Sequence, residues 1–218
     1  MNMDPSKIPF NALIVGPTNS GKSRFVVDQL YGPFRGKFDY IVFICPTFTH
    51  NKTYHRVGEN DLRIDVIVCE QHAVEKWLKL VRWLSEGTNT LIILDDCAAS
   101  KHVKGRTGEP VNLAFSARHM GISVWAVTQK MTGITSFFRE NVAAIVLFYT
   151  PSARTTKAIF DDYALKCGRF LAAANAVFIT TKHVDFSPKL PEPSHPSRNE
   201  HGCPLEGVDE VPGSATAE

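Results

Sequence analysis

The sequence is short of cysteine, of long apolar runs and of net charge. Its five cysteines are an odd number among 218 residues, they are widely spaced, and no Cys-x-x-Cys pair occurs, so neither a disulfide framework nor a zinc site is indicated. The longest apolar runs, such as Ala143–Phe148, are far shorter than the roughly 20 residues of a membrane helix. The first residues have no basic start followed by an apolar core, which argues against a secretory signal. We therefore expect an intracellular protein with no membrane span.

Charged residues balance over the whole chain but not along it. The 24 Lys and Arg residues and 22 Asp and Glu residues give a net charge of +2, which argues against a polybasic protein, and 44% hydrophobic residues exclude global disorder. Residues 187–218 hold six of the 13 prolines and six acidic against two basic residues, so their net charge is −4 and that of residues 1–186 is +6. We expect residues 1–186 to form one folded domain and residues 187–218 a Pro-rich, acidic, disordered tail.

Short apolar runs alternate with helical stretches along the folded part. Several runs are apolar at nearly every position, which is typical of strands covered on both faces in a parallel sheet. The predicted strands are Phe10–Val15, Tyr40–Cys45, Ile64–Cys69, Thr90–Leu94, Ile122–Val127, Ala143–Phe148 and Ala176–Thr180. The predicted helices are Ser23–Leu30, Ala73–Leu84, Leu113–His119 and Thr155–Cys167. The alternation predicts an α/β fold with a mostly parallel sheet flanked by helices, and we expect the three tryptophans in its core.

Residues 16–23 match the phosphate-loop pattern G-x-x-x-x-G-K-[ST] at every fixed position, between a predicted strand and a predicted helix. Glycines allow such a loop to curl so that its N–H groups face phosphate oxygens, and the following helix adds its positive end. Lys22 would reach the β- and γ-phosphates, and the Ser23 hydroxyl would bind Mg²⁺. ATP and Mg²⁺ are the expected cofactors. The predicted nucleotide-binding residues are Gly16, Pro17, Thr18, Asn19, Ser20, Gly21, Lys22 and Ser23.

Two carboxylates end the apolar segment Leu91-Ile92-Ile93-Leu94-Asp95-Asp96. Asp95 is the expected Mg²⁺ partner, and Asp96 would orient or deprotonate the attacking water. The alternative is that both acids cap a following helix. In many P-loop ATPases the second of these two acids is Glu rather than Asp. Glu70, at the end of the preceding apolar run, is therefore a reserve candidate for the role of Asp96.

A polar amide comes directly after another buried run of the sequence. The segment 122–127 leads into Thr128 and Gln129. We predict that Gln129 senses the γ-phosphate and the lytic water, because its strand would end beside the phosphate loop. The alternative is an ordinary turn, which often begins with such residues.

The residues after the two acids distinguish several classes of P-loop protein. A GTPase needs a DxxG motif after the metal strand and an NKxD guanine reader, and neither is present. A small-molecule kinase stays open, since it needs only a lid with arginines. The basic stretch 101–106 would lie at the mouth of the site, either as a loop that faces DNA or as a solvated surface loop.

The combination of GPTNSGKS, LIILDD and SARHMGISVWAVTQ (residues 116–129) resembles the DNA-packaging ATPases of poxviruses, other large DNA viruses and Maverick/Polinton elements, within the FtsK–HerA superfamily. The resemblance covers about residues 8 to 183. It implies a sheet in which the Thr128–Gln129 strand lies between the phosphate-loop strand and the Asp95 strand. It also implies a homo-oligomeric ring, a pentamer or hexamer, that pumps double-stranded DNA of any sequence into a capsid, with capsid or portal proteins as partners.

Such motors usually complete the site with an arginine from the neighbouring subunit. The candidates are Arg118, Arg139 and Arg154, of which we favour the first two, and each has a surface ion pair as its alternative role. The expected location is the site of virus assembly, nuclear or cytoplasmic, with virion association. Rival functions are a helicase or replication ATPase and a nucleotide-gated interaction protein.

Overall fold

The computed structural model describes residues 3–55, 57, 63–99, 103 and 105–149, together with the backbone of two later strands, 169–173 and 176–180. The α-helices of the described part are Lys22–Tyr31 (α1), Val74–Leu84 (α2), Glu109–Ser116 (α3) and Ser136–Glu140 (α4). Short 3₁₀ helices include Phe48–His50, Lys52–Tyr54, Cys97–Ala99 and Ala117–Met120. Among the described residues, no helix has the length and apolar character needed to cross a bilayer.

Eight strands form one sheet. They are Ala12–Val15 (β1), Tyr40–Ile44 (β2), Ile64–Ile67 (β3), Thr90–Asp95 (β4), Ile122–Thr128 (β5), Ala144–Phe148 (β6), Arg169–Ala173 (β7) and Ala176–Thr180 (β8). Their order is β3-β2-β4-β5-β1-β6-β8-β7. The first six are parallel, whereas β8 is antiparallel to β6 and β7 is antiparallel to β8. The predicted α/β fold with a mostly parallel sheet is confirmed.

The strand β5 lies between β1 and β4, as the resemblance implies. Val15 at the end of β1 pairs with Thr128 at the end of β5, and Asp95 at the end of β4 pairs with Val127. Because parallel strands end at the same edge of a sheet, the phosphate loop, the two acids and Gln129 all emerge together. The sheet order therefore places the predicted site at one edge.

Both faces of the central strands β1, β4, β5 and β6 are buried, which explains their nearly continuous apolar runs. On one face Leu13 and Val15 pack in a cluster with Leu78 of α2 and Leu113 of α3. On the other face Ala12 and Ile14 pack with Val26 and Leu30 of α1, beside a group of aromatic rings that includes Trp125. All six residues of β4 are buried, so the acidic end of this strand is anchored by packing along its whole length.

The expectation that all three tryptophans lie in the core is wrong for two of them. Trp125 is fully buried, but Trp77 and Trp83 on α2 are 38% and 71% exposed. The buried stripe of α2 consists of Val74, Leu78 and Val81, at spacings of four and three residues, and both tryptophans lie outside it.

Other expectations differ at their ends or lie outside the described residues. The predicted helix 113–119 begins earlier, at Glu109, with Pro110 in its first turn, where the missing N–H of proline costs nothing. The strand β7 and the short helix α4 were not predicted. Several predictions lie outside the described residues. They are the helix Thr155–Cys167, the residue Arg154, positions 101, 102 and 104 of the basic stretch 101–106, and the tail 187–218.

Candidate functional site

The phosphate loop is a tight turn between β1 and α1. Asn19 and Gly21 adopt left-handed backbone conformations, with φ of 61° and 97°, and α1 begins at Lys22. A Cβ atom on Gly16 would lie 2.6 Å from the Phe148 Cβ and 2.7 Å from the Ser20 Oγ, so this position has room for glycine alone. The Gly16 N–H donates to the carbonyl of Thr128 at 3.2 Å, which ties the loop to the end of β5.

A cavity of about 600 Å³ opens at this edge of the sheet. It is bordered by the phosphate loop, by the ends of β4 and β5 and by the segment that follows β2. Its lining residues are Thr18, Asn19, Ser20, Gly21, Lys22, Ser23, Arg24, Thr47, His50, Asn51, Lys52, Thr53, Asp95, Asp96, Val127, Thr128 and Gln129. The structure thus brings together the loop, both acids and the predicted sensor in one cavity. Of the predicted loop residues, Gly16 and Pro17 shape the turn without lining the cavity.

Lys22 lies within the electrostatic reach of both acids. Its Nζ donates a 2.7 Å hydrogen bond to the carbonyl of Pro17, within its own loop. Burial lowers the pKa of Lys22, and the carboxylates of Asp95 and Asp96 act in the opposite sense. A lysine ammonium that lines the cavity beside two carboxylates is well placed to meet a phosphate.

Asp95 is 6% exposed, and the Tyr54 hydroxyl donates to its Oδ2 at 2.7 Å. Burial raises the pKa of Asp95, whereas the hydrogen bond from Tyr54 and the charge of Lys22 lower it. Burial and the neighbouring Asp95 raise the pKa of Tyr54, so the phenol remains a donor. A carboxylate that keeps two favourable partners in a buried place can serve as a metal ligand.

Asp96 is held at both its side chain and its backbone. The Thr47 hydroxyl donates to Asp96 Oδ2 at 3.1 Å, and the Gln71 amide donates to the Asp96 carbonyl at 2.7 Å. The backbone of Asp96 is left-handed, with φ of 56°, which is costly for a residue with a Cβ and is found disproportionately at functional sites. Glu70, the reserve candidate, is exposed, pairs with His72 Nδ1 at 3.1 Å and does not line the cavity. Asp96 is therefore the second acid that faces the cavity.

Ser23 and Asp95 fit the oxygen-donor set that Mg²⁺ prefers. The hydroxyl of Ser23 accepts a 3.1 Å hydrogen bond from the Asn51 amide. The Tyr54 hydroxyl donates to Asp95, and Ser23 acts to lower the pKa of the same phenol, so one phenol lies beside both predicted ligands. Two hard oxygen donors that line one cavity beside a phosphate loop suit a metal that also contacts phosphate oxygens.

Sequence reasoning missed the segment that follows β2. Thr47, Asn51 and Tyr54 contact Asp96, Ser23 and Asp95 in turn. The signal that would have identified them is positional, since polar residues come directly after a buried strand that pairs with β4. Residues at the carboxyl end of a strand next to the metal strand belong to the same edge of the sheet.

Gln129 lies where its predicted role requires, at the end of β5. It is exposed and lines the cavity, while its neighbour Thr128 is 5% exposed and donates to the carbonyl of Lys130 at 3.0 Å. An exposed polar side chain thus follows directly on a buried strand. Its role as a sensor stays a prediction.

Arg118 and Arg139 do not line the cavity of their own chain, and Arg154 lies outside the described residues. Arg118 is exposed in the 3₁₀ helix after α3, and Arg139 is half-buried in α4. Arg24 lines the cavity and pairs with Asp28 at 2.9 Å. A role for Arg118 or Arg139 in a neighbouring subunit stays a prediction.

No protein-family model matches the sequence, and no curated protein does. Solved structures share the fold. The genome packaging NTPase B204 of Sulfolobus turreted icosahedral virus 2, in complex with ATP-gammaS, is 20% identical over 72% of this chain and 81% of that chain, with a TM-score of 0.57.

Two further solved structures extend this likeness. The DNA-packaging ATPase B204 of Sulfolobus Turreted Icosahedral Virus is 22% identical over 70% of this chain and 81% of that chain, with a TM-score of 0.57. The pCW3 conjugation coupling protein TcpA, with ATPgS, is 16% identical over 78% of this chain and 59% of that chain, with a TM-score of 0.50. The fold is that of P-loop NTPases, and these neighbours match the resemblance found in the sequence.

Proposed function

We propose that this protein is an ATP hydrolase that translocates double-stranded viral DNA into a capsid. The observation that carries the proposal is a single cavity lined by Lys22, Ser23, Asp95, Asp96 and Gln129, at the edge of a sheet with an additional strand between the phosphate-loop strand and the acidic strand. These residue types, in these positions, are the ones with which P-loop ATPases hold a triphosphate and activate a water. The packaging role is supported by the likeness to the B204 NTPases.

Hydrolysis proceeds by in-line attack of a water on the γ-phosphate. The N–H groups of the phosphate loop and the Lys22 ammonium hold the β- and γ-phosphates and offset the charge that develops on their oxygens. Asp96 orients the water and accepts its proton. Ser23 and Asp95 would hold Mg²⁺, which would supply further positive charge to the triphosphate. Gln129 contacts the γ-phosphate and reports its loss to β5.

The DNA-binding part of the proposal is supported by charge. Residues 1–186 carry a net charge of +6, and the basic stretch 101–106 follows the acidic strand in the chain. Contacts to DNA phosphates rather than base edges make binding independent of sequence and strongly dependent on salt. A packaging motor requires this behaviour because it must move any sequence.

The assembly in this proposal is a homo-oligomeric ring of five or six subunits at the site of virus assembly. Arg118 or Arg139 reaches the γ-phosphate of the neighbouring subunit, and capsid or portal proteins anchor the ring. An arginine supplied by the neighbour makes turnover depend on assembly.

One experiment tests activity and assembly together. ATP turnover is measured with and without linear duplex DNA, and the mass of the same sample is measured by light scattering. We expect turnover that rises with DNA, a mass of several subunits and no strand separation. Lys22→Ala should abolish turnover, and normal turnover in that variant would overturn the assignment. DNA unwinding would favour a helicase, and turnover unaffected by DNA would favour a nucleotide-gated interaction protein.

A further inference from the structure

One short turn contacts both predicted metal ligands. The turn runs from Asn51 to Tyr54 in the connection after β2. At its start, the Asn51 Oδ1 accepts from the Thr53 N–H at 3.1 Å, which fixes the amide so that Nδ2 donates to the Ser23 Oγ at 3.1 Å. At its end, the Tyr54 hydroxyl donates to the Asp95 Oδ2 at 2.7 Å. The turn therefore links the first turn of α1 to the end of β4.

The position of the Tyr54 hydroxyl is set by packing. The side chain is fully buried, its ring stacks on Phe48 with centroids 5.5 Å apart, and it meets the edge of Phe43 at 5.3 Å. The Tyr54 N–H donates to the Asn51 carbonyl at 2.9 Å, which closes the turn. A rigid aromatic side chain with two rotatable bonds holds its hydroxyl in place at little cost in entropy.

We infer that Tyr54, anchored through Asn51, is a positioning residue that sets the spacing of Ser23 and Asp95 and so couples divalent-metal binding to nucleotide binding. The inference rests on the proposed function, because it concerns the same site. A carboxylate accepts about four hydrogen bonds, so Tyr54 fixes one oxygen of Asp95 and leaves acceptor sites for the waters of a metal. A hydroxyl with two lone pairs likewise keeps one free when Asn51 donates to the other.

The test measures binding rather than turnover. The dissociation constant of a fluorescent, non-hydrolysable ATP analogue is measured on the full chain in excess Mg²⁺ and again in EDTA, and the ratio of the two constants is the metal coupling. In Tyr54→Phe we expect the constant in EDTA to change less than about twofold and the coupling to fall about tenfold, since a hydrogen bond to a charged group is lost. Tyr31→Phe is the matched control, because Tyr31 is 43% exposed and does not line the cavity.

A second pair of variants separates positioning from a purely structural role. In an Asp95→Asn background, Tyr54→Phe should cause no further loss of coupling, because the phenol acts through that carboxylate. Asn51→Ala should lower the coupling in the same direction by a smaller factor, and it carries the test if Tyr54→Phe does not fold.

The outcomes distinguish this inference from the proposed function. Coupling that is unchanged in the Tyr54→Phe chain, or in Asn51→Ala if the first variant does not fold, overturns the inference. An equal loss of affinity with and without metal also overturns it, since that is the mark of a damaged fold. A wild-type chain that binds no nucleotide under either condition contradicts the proposed function itself.

Discussion

The Thr47 hydroxyl donates to the Asp96 carboxylate at 3.1 Å, across 49 positions of sequence. This contact joins the end of β2 to the end of β4, and it orients the acid that we propose as the base for the attacking water. The left-handed backbone of Asp96, with φ of 56°, is a second sign that its side chain is held in a required place.

Replacing Thr47 should therefore affect turnover more than binding. In Thr47→Val the shape is kept and the hydrogen bond is lost, so we expect kcat for ATP to fall about tenfold with KM changed less than about twofold. Steady-state kinetics measure both constants. Thr49→Val, at an exposed position of the same segment, is the control. Equal kcat values for Thr47→Val and wild type would show that this hydroxyl does not position Asp96.

Because Gly16 is closely packed, we expect Gly16→Ala to weaken nucleotide binding. A Cβ would press on Phe148 and Ser20 at 2.6 and 2.7 Å, so Gly16→Ala should cost about 1–3 kcal/mol of stability and displace the loop. Gly87 provides the contrast, because a Cβ there meets nothing within 4 Å and only its φ of 80° opposes alanine. We expect Gly87→Ala to cost about 1 kcal/mol and to leave nucleotide binding intact. Denaturant unfolding and nucleotide titration of both variants check this.

The sequence predicts the parts of the site whose chemistry lies in consecutive residues. The loop at 16–23 and the pair Asp95 and Asp96 can be recognised from consecutive residues. The buried strands before them show as unbroken apolar runs. The contacts of Thr47, Asn51 and Tyr54 depend on which strands pair, and strand order does not show in periodicity. The strand β7, which pairs antiparallel with β8, is a further element that the apolar runs of the sequence do not predict.

The tryptophans of α2 show that residue type alone does not predict burial, and this difference leads to a stability prediction. Trp83 is 71% exposed although Leu78, on the same helix, is fully buried. Leu78→Ala should lower the free energy of unfolding by about 2–5 kcal/mol, because it opens a cavity in the core. Trp83→Ser should change it by less than about 0.5 kcal/mol. Urea unfolding of the two variants compares them directly, and a loss of more than about 2 kcal/mol in Trp83→Ser would mean that this side chain is packed in the folded state.

Burial of Cys45 predicts how stability responds to alkaline pH. Burial and the nearby Asp95 raise the pKa of the Cys45 thiol from 9.0 to about 11. The unfolded chain ionises this thiol at lower pH than the folded chain, so its contribution is complete below about pH 9 and is lost as the pH rises towards 11. We expect this group to remove up to about 3 kcal/mol of stability over that range. Cys45→Ala should show a correspondingly smaller decline when unfolding is followed from about pH 8 to about pH 11, and parallel curves for the two proteins would contradict the assignment.

The predicted role of Gln129 can be tested by comparing nucleotide affinity with turnover. Its side chain is exposed on the cavity while the strand beneath it, β5, is buried throughout and pairs with both β1 and β4. The phosphate loop as a whole sets the affinity for ATP, so one hydrogen bond from Gln129 to the γ-phosphate adds little to binding, whereas alignment of the water lowers the barrier in the transition state. We therefore expect Gln129→Ala to bind the ATP analogue within about twofold of wild type while kcat, in the presence of duplex DNA, falls about a hundredfold. Lys130→Ala, at the exposed neighbouring position that does not line the cavity, should leave both quantities unchanged. If affinity and kcat fell by the same factor in Gln129→Ala, the residue would act in nucleotide binding alone, and its alignment of the attacking water would be contradicted.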